Sequence, residues 1–186
     1  MIDFLLTSDD PLSKLLVEKG ITSWHTLIDF IKNVPYGRNA NRTDSKLVIT
    51  ENRGTCSSKH ALLKKIANLH QQTDIELIIG IYKMNATNTP KIGTVLTDHD
   101  LTYIPEAHTY LRYHNITIDA TSVNSNFDLI KDDLLLEEII QPDQVGEYKV
   151  NYHQNYIKNW IISEEVDFSF TKIWELREQC IANLSL

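Results

Sequence analysis

The sequence predicts an α+β fold in which a cysteine-bearing helix packs on an antiparallel β-sheet, with extra helices at the N- and C-terminal ends. Three observations predict it. From Cys56 to His70, the residues Ala61, Leu62, Leu63, Ile66, Ala67 and Leu69 recur at spacings of three and four, which gives a helix one face to bury. Ile75 to Met84 is a run of β-formers with little polar interruption, the pattern of a strand covered on both faces. Ala107 to Tyr113 and Ile116 to Ala120 flank His114-Asn115, and Asn tolerates the positive φ of a tight hairpin turn.

The remaining elements follow from caps and breakers. Asp9 or Asp10 caps a helix from Pro11 to Lys19, and Gly20 stops it. Thr22 or Ser23 caps a second helix to about Asn33, with Trp24, Leu27, Ile28 and Ile31 on its apolar face. His25 on that helix reads as a surface or core-edge residue. Pro35 to Arg42 is a polar loop rich in turn formers. Leu47-Val48-Ile49 is expected to be a short strand leading to the cysteine. Asn85 to Glu106 has no firm period, holds Pro90, Gly93 and Pro105, and reads as a long excursion at a sheet edge. Leu134 to Ile140 fits helix or strand, and Pro142 and Gly146 break it. Tyr152 to Ile162 reads as helix. Phe168 to Leu184 forms a final helix whose stripe runs Phe170, Ile173, Trp174, Arg177, Cys180, Ile181 and Leu184, so Cys180 is assigned to core packing.

A chain of 186 residues suits a single domain able to bury a core, here 1–186 with its centre at about 47–121. A net charge of −7 with no basic cluster argues against a nucleic-acid partner. The opening Met1-Ile2-Asp3-Phe4-Leu5-Leu6 lacks basic residues, and no apolar run is long enough to span a membrane, so neither a signal peptide nor a membrane partner is expected. Two cysteines make no disulfide framework and fit a reducing cytoplasmic setting.

The chemistry centres on Cys56. Thr55 can act as N-cap, which leaves Cys56 at the start of the helix, where the dipole favours thiolate over thiol. Gly54 allows a sharp entry turn and puts no Cβ in front of the sulfur. Taken alone, a buried packing cysteine is the ordinary reading. The hairpin changes that. With a two-residue loop, Tyr113 faces Ile116, Arg112 faces Thr117, Leu111 faces Ile118 and Tyr110 faces Asp119. His108, Tyr110 and Asp119 then share one sheet face, with His108 and Asp119 diagonal at about 7–8 Å. The other face carries Leu111, Ile116, Ile118 and Ala120. A helix packed on the first face would assemble Cys56 as nucleophile, His108 as base and Asp119 as the carboxylate that orients the imidazole. The Cys56 N–H is a natural oxyanion donor, and Tyr36, Asn41 or Asn52 could supply a second, although turn chemistry explains each of them separately. His60, at i+4 from Cys56, is a rival base; it reads as a helix-surface residue with no nearby acid. His114 sits in the turn, facing solvent. Cys56, His60 and His108 do not have zinc-ligand spacing, and no second Cys or His pair closes a set, so neither a metal nor another cofactor is expected.

Gly54-Thr55-Cys56 opening a helix, a following strand, His108-Thr109-Tyr110, and Asp119-Ala120-Thr121 one strand later resemble the transglutaminase-like superfamily of cysteine enzymes. The resemblance covers about Leu47 to Thr121. Two positions depart from the family pattern: Tyr110 stands where Trp is usual, and His60 stands where a small residue is common. The resemblance implies a transglutaminase-like or papain-like architecture and a Cys56-His108-Asp119 triad. It also implies cofactor-free acyl transfer on a peptide, protein or small amide, by hydrolysis, transglutaminase-type transfer or deamidation. Arg53-Gly54-Thr55-Cys56 is also similar to the Arg-Gly-Gly-x-Cys of arylamine N-acetyltransferases, which are longer and bind coenzyme A. A non-catalytic binding domain on the same fold is the alternative.

Overall fold

Local hydrogen bonds set the helix boundaries. In the computed structural model, which describes residues 2–184, Asp10 caps α1 (Pro11–Glu18) by accepting the Leu12 N–H at 2.8 Å. Ser23 and Thr26 form a reciprocal capping box at the start of α2 (Trp24–Asn33). Leu47-Val48-Ile49 is not a strand; it lies in the single helical turn α3 (Leu47–Thr50). The cause is the turn before it: the Asp44 carboxylate accepts the Lys46 N–H at 3.0 Å and the Asp44 carbonyl accepts the Leu47 N–H at 3.1 Å. Three apolar residues are too few for periodicity to tell helix from strand. Thr55 and Ser58 form the capping box of α4 (Cys56–Leu69).

β1 (Ile75–Met84), β2 (Ile104–Tyr113), β3 (Ile116–Ile118) and β4 (Leu134–Ile140) form a four-stranded antiparallel sheet in the order β3-β2-β1-β4. The hairpin has the expected register, with Leu111 opposite Ile118, Arg112 opposite Thr117 and Tyr113 opposite Ile116. The positive φ of its turn falls on His114, at 51°, and not on Asn115. β3 ends at Ile118, so Asp119 and Ala120 lie beyond the ladder. Leu134–Ile140 resolves as strand. The stretch read as an open excursion ends sooner, because β2 begins at Ile104 and takes in Glu106. What remains is organised by 3-10 turns at Pro90–Ile92 and Thr97–His99, and Ile92 and Leu96 are buried. The final helices are α5 (Glu147–Ser163) and α6 (Phe170–Asn183), the latter capped by Ser169.

Contacts divide the chain into two compact units. One comprises the described residues of 1–78, 109–125 and 139–146; the other comprises those of 79–108, 126–138 and 147–186. In the first unit α4 is the core element, with Leu62, Leu63 and Ile66 fully buried. Its first two turns are covered all round, because Ser57, Ser58, Lys59 and His60 are buried as well.

In the second unit Tyr82, Met84, Ile104, Trp160, Ile173 and Cys180 belong to one apolar cluster. Cys180 is therefore core, and burial pushes its thiol up to about 11. Beside it lies a buried ion pair. Arg177 donates to both Glu106 carboxylate oxygens at 2.6 Å and also bonds Glu178 at 2.6 Å. Trp174 lies against the guanidinium at 5.2 Å. His153 donates Nε2–H to the Pro105 carbonyl at 2.7 Å. Burial alone would raise the Glu106 carboxyl, but the charge of Arg177, helped by His153, overcomes it and holds the group down at about 2.

Arg177→Met should strand Glu106 as an unpaired buried charge and lower unfolding stability by about 3–5 kcal/mol. The double variant Glu106→Leu with Arg177→Met should recover most of that loss. Because folding lowers the Glu106 pKa from 4.5 to about 2, its contribution is complete above pH 4.5 and is lost as pH falls toward 2. Urea midpoints measured across that range should therefore fall less steeply with acid in Glu106→Gln than in the parent chain.

Candidate active site

The site is built on the N-terminus of α4. Thr55 N–H donates to Ser58 Oγ at 3.0 Å, and Ser58 N–H is directed to Thr55 Oγ1 at 3.5 Å. Cys56 is the first helical residue and is 9% exposed. It forms no disulfide. Gly54 pairs with the loop after α2: its N–H donates to the Pro35 carbonyl at 3.0 Å and its carbonyl accepts the Gly37 N–H at 3.2 Å. Gly54 does not have a positive φ. A glycine is required there by packing, since a Cβ would lie 2.9 Å from Lys59 Cγ and 3.1 Å from Ser58 Oγ.

Lys59 is the residue that sequence reading missed. It is fully buried, and its ammonium donates to the Val34 carbonyl and, at 2.7 Å, to the Thr121 carbonyl. Burial pushes its pKa down to about 8, while the charges of Cys56 and Asp119 pull the other way. The available signal was a lysine at i+3 from Cys56 within a helix face otherwise made of small and apolar residues.

His60 differs from expectation. It is fully buried rather than on the helix surface, and an acid does lie nearby, with Asp119 Oδ1 3.8 Å from Nε2. Its Nδ1 faces the Cys56 carbonyl at 2.8 Å, and its Nε2 receives the Ala120 N–H at 2.8 Å. A carbonyl can only accept and an amide N–H can only donate, so the partners assign the neutral Nδ1–H tautomer. Both ring nitrogens are committed to backbone, and His60 is not available to take a thiol proton. It instead explains why β3 ends early: the Ala120 N–H is bonded to α4 rather than to a neighbouring strand.

Asp119 Oδ1 accepts the Thr121 N–H at 2.9 Å. Cys56, Lys59, His60 and Asp119 are therefore brought together within the first unit. Tyr110 belongs to the same unit and is fully buried. His108 belongs to the second unit, where its ring meets Tyr82 edge-on with centroids 6.5 Å apart. Thr109, the next residue on β2, belongs to the first unit; its Oγ1 lies 3.5 Å from Ser57 Oγ, which is 3.9 Å from Cys56 Sγ.

The oxyanion candidates separate clearly. Asn41 accepts the Thr43 N–H at 3.1 Å and the Thr43 hydroxyl at 2.8 Å, which is turn chemistry. Asn52 has a φ of 48°, a turn conformation too. Tyr36 bridges Gly54 through its backbone and is half-buried. Asn39, not singled out from the sequence, donates to the Arg53 carbonyl at 2.8 Å and to Glu51 at 3.0 Å, tying the loop to the approach to Cys56. Among the described residues no group of three or more His, Cys, Asp and Glu side chains is arranged to hold a metal ion, and no helix is long and apolar enough to cross a membrane.

His60→Ala should leave the Ala120 N–H buried without its partner and lower stability by about 1–3 kcal/mol. Urea unfolding reads the loss, and amide exchange at Ala120 should accelerate more than at the β2–β3 ladder positions. A comparison of the chain with family models, with curated proteins and with solved structures gives no match.

Proposed function

We propose that this chain is a cysteine-dependent acyl-transfer enzyme of transglutaminase-like type, with Cys56 as nucleophile, His108 as its base and Asp119 as the carboxylate that orients the imidazole. The observation that carries the reading is the capped start of α4. There Cys56 occupies the first helical position, where the helix dipole supports a thiolate. The engagement of both His60 nitrogens by backbone argues against the rival base and so supports His108 in that role.

His108 takes the proton from Cys56 Sγ, and the thiolate attacks the carbonyl carbon of an amide, forming a C–S bond. Negative charge moves to the carbonyl oxygen, where the Cys56 N–H at the helix start can donate to it. Collapse breaks the C–N bond, and the imidazolium returns its proton to the departing amine, leaving a thioester. Water or a second amine, deprotonated by His108, then attacks the thioester and releases the thiol. Hydrolysis, transfer and deamidation share these steps, and the substrate class is a peptide, protein or small amide. Two cysteines without a disulfide fit a reducing cytoplasmic compartment.

The low exposure of Cys56, 9%, favours one second reading, a non-catalytic binding domain of the same fold. Thiol labelling separates the two. Iodoacetamide should modify Cys56 with an apparent pKa below the reference of about 8.5, while Cys180 stays unlabelled. His108→Ala should slow labelling at pH 6 by about tenfold, the loss of roughly one unit of thiolate stabilisation. A panel of thiol-directed acyl probes should acylate the parent chain and not Cys56→Ala. Labelling no faster than a free thiol at every pH, with access to the sulfur demonstrated, would overturn the catalytic reading.

A further inference from the structure

We infer that Lys59 is a positioning residue for the Cys56 thiolate. Its ammonium, anchored between the Val34 and Thr121 carbonyls, is a fixed positive charge that holds the sulfur ionised and ties the Asp119 turn to the first turn of α4. The purpose assigned to Lys59 rests on the acyl-transfer reading; the coupling itself does not.

The geometry is specific. A lysine is almost never fully buried unless it is paired, yet Lys59 has no exposed surface. Its two hydrogen-bond partners are neutral carbonyls, which orient the ammonium without cancelling its charge. The groups whose charge bears on it are Cys56 and Asp119. Cys56 is three residues away on the same helix face. Asp119 is joined to it through Thr121, whose carbonyl takes the ammonium while its N–H is held by the Asp119 carboxylate. His60, the other titratable side chain at this point, turns Nδ1 to the Cys56 carbonyl and Nε2 to the Ala120 N–H, with Asp119 3.8 Å away. The gap left by the absent Cβ of Gly54 is filled by the Lys59 stem, so the charge is delivered by a rigid side chain.

An interaction between two titrating groups is reciprocal. If the thiolate favours the Lys59 ammonium, the ammonium favours the thiolate by the same free energy. With its pKa lowered by burial to about 8, Lys59 is charged at neutral pH and loses its charge above that. Its help to the sulfur is therefore present below pH 8 and fades at higher pH.

The test follows Lys59 directly, by the 13C signal of its ε-carbon in lysine-labelled protein, alongside the pH profile of Cys56 alkylation by iodoacetamide. Cys56→Ser removes the anion and should lower the Lys59 midpoint by about one unit, the size expected for a charge a few ångströms away. Lys59→Met should raise the alkylation midpoint of Cys56 by a similar amount, a roughly tenfold slower reaction at pH 6. A Lys59 midpoint unmoved in Cys56→Ser overturns the inference. So does a folded Lys59→Met chain with an unchanged alkylation profile. Should Lys59→Met fail to fold, the titration in Cys56→Ser decides alone. Failure of the acyl-transfer reading looks different: His108→Ala leaves labelling unchanged while the coupling between Lys59 and Cys56 persists.

Discussion

Lys59 and His60 are buried side by side on the first turns of α4, and buried polar groups must find hydrogen-bond partners or destabilise the fold by several kcal/mol. Backbone supplies partners for both: Val34 after α2, Ala120 and Thr121 after β3, and Cys56 on α4 itself. Much of the first unit depends on this requirement. It fixes the loop leaving α2, ends β3 at Ile118, and turns the chain so that the Asp119 carboxylate comes within 3.8 Å of His60. It also explains Gly54, the position where a Cβ would meet the Lys59 stem.

The second unit meets the same requirement with an ion pair. Arg177 on α6 donates two hydrogen bonds of 2.6 Å to Glu106 on β2, with Glu178 and His153 close by. A bidentate fork of this kind is directional, so it sets the position of α6 against β2 more narrowly than apolar contact alone. Glu106 is two residues from His108 on the same strand. The strand that carries the proposed base is thus held in place by charge at one point and by ring packing against Tyr82 at another.

For a thiol, these restraints matter chemically. A nucleophile is activated by groups already in position before the substrate arrives, because reorganising dipoles during reaction raises the barrier. At Cys56 the helix start, the capping box and the buried ammonium are all fixed by bonds to backbone. In the proposed role, the helix start and the ammonium would both favour negative charge on sulfur.

The sequence by itself determined the helices whose caps are local, the strand Ile75–Met84, the hairpin register and the position of Cys56 at a helix start. Those signals act within a few residues: Asp10 on Leu12, Ser23 on Thr26, Thr55 on Ser58, and the two-residue loop on the pairs beside it. It misjudged Leu47–Ile49, where turn bonds from Asp44 outweighed β-propensity, and the start of β2, where Pro105 suggested a loop. The roles of Lys59, His60, Glu106 and Arg177 were decided only by tertiary structure. The partners that set these roles include segments 25 to 71 residues away in the chain. A charged side chain reads as surface until a distant segment supplies the acceptor or counter-charge that lets it be buried, and no local pattern encodes where that segment will be.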